Sequence, residues 1–119
     1  MGASGITLNS STNNLNAHVN VSSWKTINLT NGTLYVNETL RLCELHYSKS
    51  SVALTQNAWK DVETISQIAN YPHTQTNDHL YVSGNMPYYT VRIYRNGLIK
   101  VYSTLGSTVA VTFSVMWHY

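Results

Sequence analysis

Residues 91–101 read VRIYRNGLIKV, and the phase of their apolar residues decides the fold. Val91, Ile93, Ile99 and Val101 alternate with polar or amphipathic neighbours on either side of Asn96-Gly97, a strong hairpin signal. A two-residue loop at Asn96-Gly97 would set Ile93 opposite Lys100 and scatter the apolar residues over both faces. A three-residue loop, Arg95-Asn96-Gly97 with Gly97 left-handed, pairs Ile93 with Ile99 and Val91 with Val101 on one face. The phase therefore predicts the bulged turn. Working outward, residues 108–117 read TVAVTFSVMW, with Val109, Val111, Phe113, Val115 and Trp117 in unbroken period two. The chain ends as antiparallel β.

The 119 residues suffice for one domain with its own core. Only 10% are charged, against about 25% in an ordinary soluble domain. Ser, Thr and Asn supply about a third of the chain, a composition shared by strand- and turn-rich folds and by extracellular or virion proteins that meet sugars. The net charge is +2, and Lys25, Arg41, Lys49, Lys60, Arg92, Arg95 and Lys100 are scattered. No basic cluster tracks a phosphate backbone, which argues against nucleic acid. Cys43 is the single cysteine, so neither an internal disulfide nor a four-thiolate zinc site is expected, and it reads as a small buried hydrophobe. No apolar run reaches about 18 residues, so no membrane insertion is expected. Five Asn-x-Ser/Thr triplets, at Asn9, Asn20, Asn28, Asn31 and Asn37, are expected to be unused.

Residues 1–17 read as a polar linker or an expression remnant, and 18–119 as the domain. Val19 and Val21, then Trp24, Ile27 and Leu29, suggest the first strands, with a turn at Asn31-Gly32 and Trp24 taken as a core residue. Leu34 to Val36 and Leu40 to Tyr47 form the next pair. Neither face of the latter is uniformly apolar, which suggests cover on both sides. Val52 to Leu54 reads as a separate short strand after a turn at Ser48 to Ser51. Trp59, Val62, Ile65, Ile68 and Ala69 have near-helical spacing, so the one helix or helical turn belongs there, ended by Tyr71-Pro72. A polar loop (73–79), a strand at Leu80 to Val82, a loop (84–87) and the C-terminal hairpin complete eight to ten strands. The fold class is all-β, an antiparallel sandwich or jelly-roll-like barrel.

Phosphate loops, H-E-x-x-H, G-x-S-x-G and kinase signatures are absent from the sequence. Five acidic residues make poor material for a glycosidase pair: Asp61 and Glu63, two apart in one segment, do not straddle a cleft. No enzyme activity, no cofactor and no metal are expected. His73, Asp78 and His79 carry ligand-type atoms in one loop, but the reading favoured is exposed polar residues. His46 and His118 read as packing or interface residues within strands.

The aromatic choice is skewed to nine Tyr and three Trp against one Phe. Tyr and Trp offer rigid area with a hydrogen-bonding tip, which suits a binding surface, an outer sheet face or a subunit contact. Tyr81, Tyr88, Tyr89, Tyr94 and Tyr102 fall near the polar loops and on the second face of the hairpin. A flat ring beside Asn, Asp and His is what a pyranose needs, since its C–H faces stack while its hydroxyls bond amides and carboxylates. On this chemistry the candidate saccharide site is Trp59, His73, Asp78, His79, Tyr88 and Tyr89.

The order of features carries a resemblance. Tyr47-Ser-Lys49 is followed by Val52-Ala-Leu54, then Trp59, Ile68-Ala69 and Pro72. A strand with Val91, Ile93, Asn96, Gly97 and Ile99 and a final alternating strand complete the series. Over roughly residues 20–119 this resembles the C-terminal head domain of tail-tip and baseplate receptor-binding proteins of long-tailed phages infecting Gram-positive bacteria. The resemblance implies a sandwich or barrel-like head, a homotrimer at the virion tail tip or baseplate, and host cell-wall saccharide as receptor. It also implies attachment to other tail or baseplate proteins through an upstream region, with Trp59 as a sugar platform. Two further readings stand beside it: a structural baseplate module docking other virion proteins, and a carbohydrate-binding module attached to a hydrolase.

Overall fold

The computed structural model describes residues 24–82 and 88–119, which form eight strands and one 3-10 turn. The strands are β1 (Trp24–Leu29), β2 (Gly32–Asn37), β3 (Leu42–Ala53), β4 (Ala58–Thr64), β5 (His79–Tyr81), β6 (Tyr89–Tyr94), β7 (Leu98–Ser103) and β8 (Thr108–His118). They make two antiparallel four-stranded sheets, ordered β1-β2-β3-β8 and β4-β7-β6-β5. The sheets remain separate, so the all-β expectation resolves to a sandwich and the barrel form is set aside. Residues 1–23, which include Val19, Val21 and the expected polar linker, and residues 83–87, which include the expected loop at 84–87, lie outside the described residues.

Period-two alternation builds the core. From the first sheet come Leu34, Val36, Cys43, Leu45, Tyr47, Val111, Phe113 and Trp117; from the second, Val91, Ile93, Ile99 and Val101; all form one buried cluster. The Tyr47 and Phe113 rings stack with centroids 5.2 Å apart. Cys43 is fully buried, and desolvation pushes its thiol up to about 12, so it is an inert packing residue.

The hairpin register is the one the apolar phase required. Val91 pairs with Val101 and Ile93 with Ile99, and Gly97 sits at φ +91°. Gly97 also lies against the 3-10 segment: its carbonyl accepts the Ile65 N–H at 2.9 Å, and a Cβ there would meet the Ile65 oxygen at 1.9 Å.

Five local expectations are corrected. First, β3 runs unbroken through Ser48 to Ser51, with a bulge between Lys49 and Val52 in place of the expected turn. Second, Cys43, Leu45 and Tyr47 face inward while Glu44 and His46 face outward, so β3 is covered on one side only. Third, Trp59 to Thr64 is strand β4, and only Ser66–Asn70 is helical, as a single 3-10 turn. Fourth, Trp24 is not a core residue. It pairs with Asn37 in the outward row of β1, and Ile27 and Leu29 of the same strand pack against the core. The first turn is also offset by one: Gly32 opens β2, where a Cβ would fall 2.1 Å from the His46 oxygen.

Polar struts join the layers. Glu63 of β4 accepts from Tyr47 Oη at 2.6 Å and from Asn31 Nδ2 at 2.9 Å. Burial and this carboxylate raise the Tyr47 hydroxyl well above the usual phenol range. Trp117 Nε1 donates to the Tyr71 carbonyl at 2.7 Å. Arg95, beside the hairpin turn, donates to the carbonyls of His73 (3.2 Å), Asn77 (2.8 Å) and Gln75, pinning the 73–78 loop.

Candidate functional site: the outward face of the second sheet

The residues that alternate with the core positions of β6 and β7 point away from the sandwich. They are Arg92 and Tyr94 on β6 and Lys100 and Tyr102 on β7. The flanking strands complete the rows. Tyr102 pairs with Trp59 of β4, Lys100 with Asp61, Arg92 with Tyr81 of β5, and Tyr94 with His79. One Trp, three Tyr, one His and one Arg thus share a sheet face, as the 2.0 period demands once the opposite face is apolar.

Arg92 is the centre. Its guanidinium carbon lies 4.1 Å from the Trp59 ring centroid and 5.3 Å from that of Tyr81, within cation–π range of both. Nη2 donates to Tyr81 Oη at 2.9 Å and Nη1 to Tyr94 Oη at 3.5 Å. These hydrogen bonds, Tyr81 first, raise the already high affinity of the guanidinium for its proton. Trp59 meets Tyr102 at 5.4 Å between centroids, and His79 meets Tyr81 edge-on at 4.9 Å. Trp59 is 39% and Tyr81 54% exposed, so the cluster offers ring surface to solvent while its positions are held.

Charged pairs border the rings. Asp78 Oδ1 lies 2.6 Å from His79 Nδ1, and that hydrogen bond, with the imidazole charge, holds the Asp78 carboxyl below its ordinary range. Lys100 Nζ lies 3.7 Å from Asp61 Oδ1. A depression of about 230 Å³, lined by Asp78, Tyr94, Arg95, Asn96 and Leu98, opens beside the His79 end.

The six site residues expected from the sequence do not converge. Trp59, Asp78 and His79 belong to this face, with Trp59 at the β4 edge and the Asp78–His79 pair at the β5 edge. His73 does not belong to it and is not exposed. It is 5% exposed, with both ring nitrogens lacking a partner among the described residues. Tyr89 shares the side of Val91, and its hydroxyl meets the backbone of Thr112 on β8 (to O 3.4 Å, from N 3.3 Å). Tyr88 packs edge-on against Tyr89 at 5.9 Å, at the rim of the sandwich. Arg92 went unnoticed as the organising residue, although its place opposite Tyr81 follows once β5 is registered. Among the described residues, no three His, Cys, Asp or Glu side chains gather in metal-binding geometry.

No family model, curated protein or solved structure matches this chain.

Proposed function

We propose that this is a non-catalytic saccharide-binding head domain of a phage tail-tip or baseplate receptor-binding protein, acting as a homotrimer on host cell-wall glycan. The observation that carries the binding role is the outward ring cluster of Trp59, Tyr81, Tyr94 and Tyr102 around Arg92. Trp59 and Tyr81 give flat surface for the C–H face of a pyranose. Arg92 at the centre, with Lys100 and the Asp78 carboxylate at the rim, gives donors and an acceptor for hydroxyls. The phage and trimer parts rest on the order of sequence features described above.

A shallow, open face of this kind suits a weak contact, with a monosaccharide bound at about millimolar to micromolar Kd and avidity from three copies supplying the rest. Titration of labelled protein with host cell-wall saccharide tests it. Trp59→Ala and Tyr81→Ala should abolish binding at this face, and Asp78→Asn should weaken it only modestly, since that carboxylate sits at the rim. Binding indifferent to Trp59 and Tyr81 overturns the site. Absence of any saccharide binding, with capture of other baseplate proteins instead, favours the structural-module reading.

A further inference from the structure

The outward face of the first sheet carries a separate groove built from residues that the site above does not use. Cross-strand registers line up Thr26, Tyr35, Glu44 and Met116 in one row, and Thr33, His46 and Ser114 in the next. A depression of about 500 Å³ is lined by Trp24, Thr26, Tyr35, Glu44 and His46. A second, of about 300 Å³, shares His46 as a wall and continues past Thr33, Ser48, Thr112 and Ser114. The two meet at His46, the first aromatic at the β1 end and the second lined by hydroxyls toward β8.

A hydrogen-bonded chain fixes the point where they meet. His46 Nε2 lies 3.0 Å from Glu44 Oε2, and His46 Nδ1 lies 3.1 Å from Ser114 Oγ. The neutral tautomer that satisfies both carries its proton on Nε2, donating to Glu44 and accepting from the Ser114 hydroxyl. Tyr35 holds the imidazole edge-on at 5.5 Å. Glu44 is thereby oriented, with its second oxygen free among the described residues to accept from ligand hydroxyls. Trp24 and Tyr35 are half-buried, so each shows part of a ring to the groove.

This lining differs in charge from the second sheet. There Arg92 and Lys100 stand beside Asp61 and Asp78, whereas here the acidic side chain is Glu44 alone, which repels an anionic ligand and favours hydroxyl donors. The shared wall at His46 gives room beyond a single ring. We infer that this groove is a second saccharide site, taking a neutral oligosaccharide whose first ring stacks on Trp24 and Tyr35. Its hydroxyls bond Glu44, and its next ring extends over His46 toward Ser114. The inference rests on the reading of the domain as a saccharide binder, but on different residues, so each domain engages glycan on two opposite faces.

The test uses the full chain and its Trp59→Ala variant on an array of neutral and acidic glycans, followed by titration of the neutral hits. The Trp59→Ala protein should retain at least one neutral hit, with the disaccharide bound more tightly than its monosaccharide. Adding Trp24→Ala or Glu44→Gln in that background should weaken the hit by about tenfold or more. Glu44→Gln keeps the shape, and unchanged melting temperatures separate lost contacts from lost fold. A Trp59→Ala protein silent on the array, or hits indifferent to both added changes, overturns the second site. Hits of the intact chain that Trp59→Ala loses report the first site; a Trp59→Ala protein that loses none, while Trp24→Ala does, leaves the second site standing and removes the first.

Discussion

Gly97 is the residue where backbone and packing demands coincide. At φ +91° a β-branched side chain is strained, and the Ile65 carbonyl occupies the space its Cβ needs. Gly97→Val should destabilise the domain by about 2 kcal/mol or more, read as a fall in melting temperature. An unchanged melt would contradict the turn. His73 makes a pH prediction. Burial first, then the nearby Arg95 charge, lowers its proton affinity in the folded state. Because its folded pKa lies below the unfolded value of about 6.5, the unfolded chain takes up more protons on acidification. Its contribution is therefore intact above about pH 6.5 and declines as pH falls through the unfolded value toward the folded one. His73→Leu should flatten that slope in denaturant melts from pH 7.5 to 5. Trp24 shows how a residue is misread: its hydrophobicity suggested the core, but three residues before Ile27 is the opposite face of a strand.

At the scale of elements, the hairpin β6–β7 and strand β8 were legible because strict period two admits one register. The less legible elements are those with bulges. In β4 Trp59 lies on the outward face and Val62 packs against the core, so their i, i+3 spacing joins opposite faces of a strand and imitates a helix, while the register shift between Asp61 and Glu63 interrupts the alternation that marks a strand. Ile65 and Ile68 continue that spacing because a genuine 3-10 turn follows. In β3 the bulge between Lys49 and Val52 is written in Ser and Lys, which imitates a loop. The saccharide residues chosen from sequence mixed three of this sheet's outward face with three of other surroundings, since the fold of loop 73–78 under Arg95 leaves no periodic trace. The Glu63 strut yields a further expectation. Glu63→Ala strands the Tyr47 hydroxyl and the Asn31 amide together and should destabilise by about 2–3 kcal/mol. Tyr47→Phe, which leaves Glu63 one donor from Asn31, should do less harm, about 1 kcal/mol. Chemical denaturation of both variants checks the order, and equal losses would contradict a shared carboxylate.

At the scale of the molecule, the sandwich devotes one face of each sheet to the core and exposes the other, and both exposed faces carry aromatic side chains among polar partners. Asn37, one of the five glycosylation triplets, is fully buried, so in this fold it is no acceptor for a glycan. Removal of divalent cations by a chelator should leave saccharide binding unchanged, because hydroxyl and ring contacts carry it; loss of binding on chelation would require a metal in the site. Light scattering of the intact chain should give three copies, and a stable monomer at micromolar concentration would contradict the assembly proposed for the tail tip. The central claim is that the ring cluster around Arg92 meets sugar. The most direct measurement is a nuclear magnetic resonance titration of the labelled protein with host cell-wall saccharide, following the Trp59 indole and the Arg92 and Tyr81 signals. Saturable shifts concentrated on these residues, lost in Trp59→Ala, are the predicted result; signals that stay fixed through saturating saccharide would contradict it.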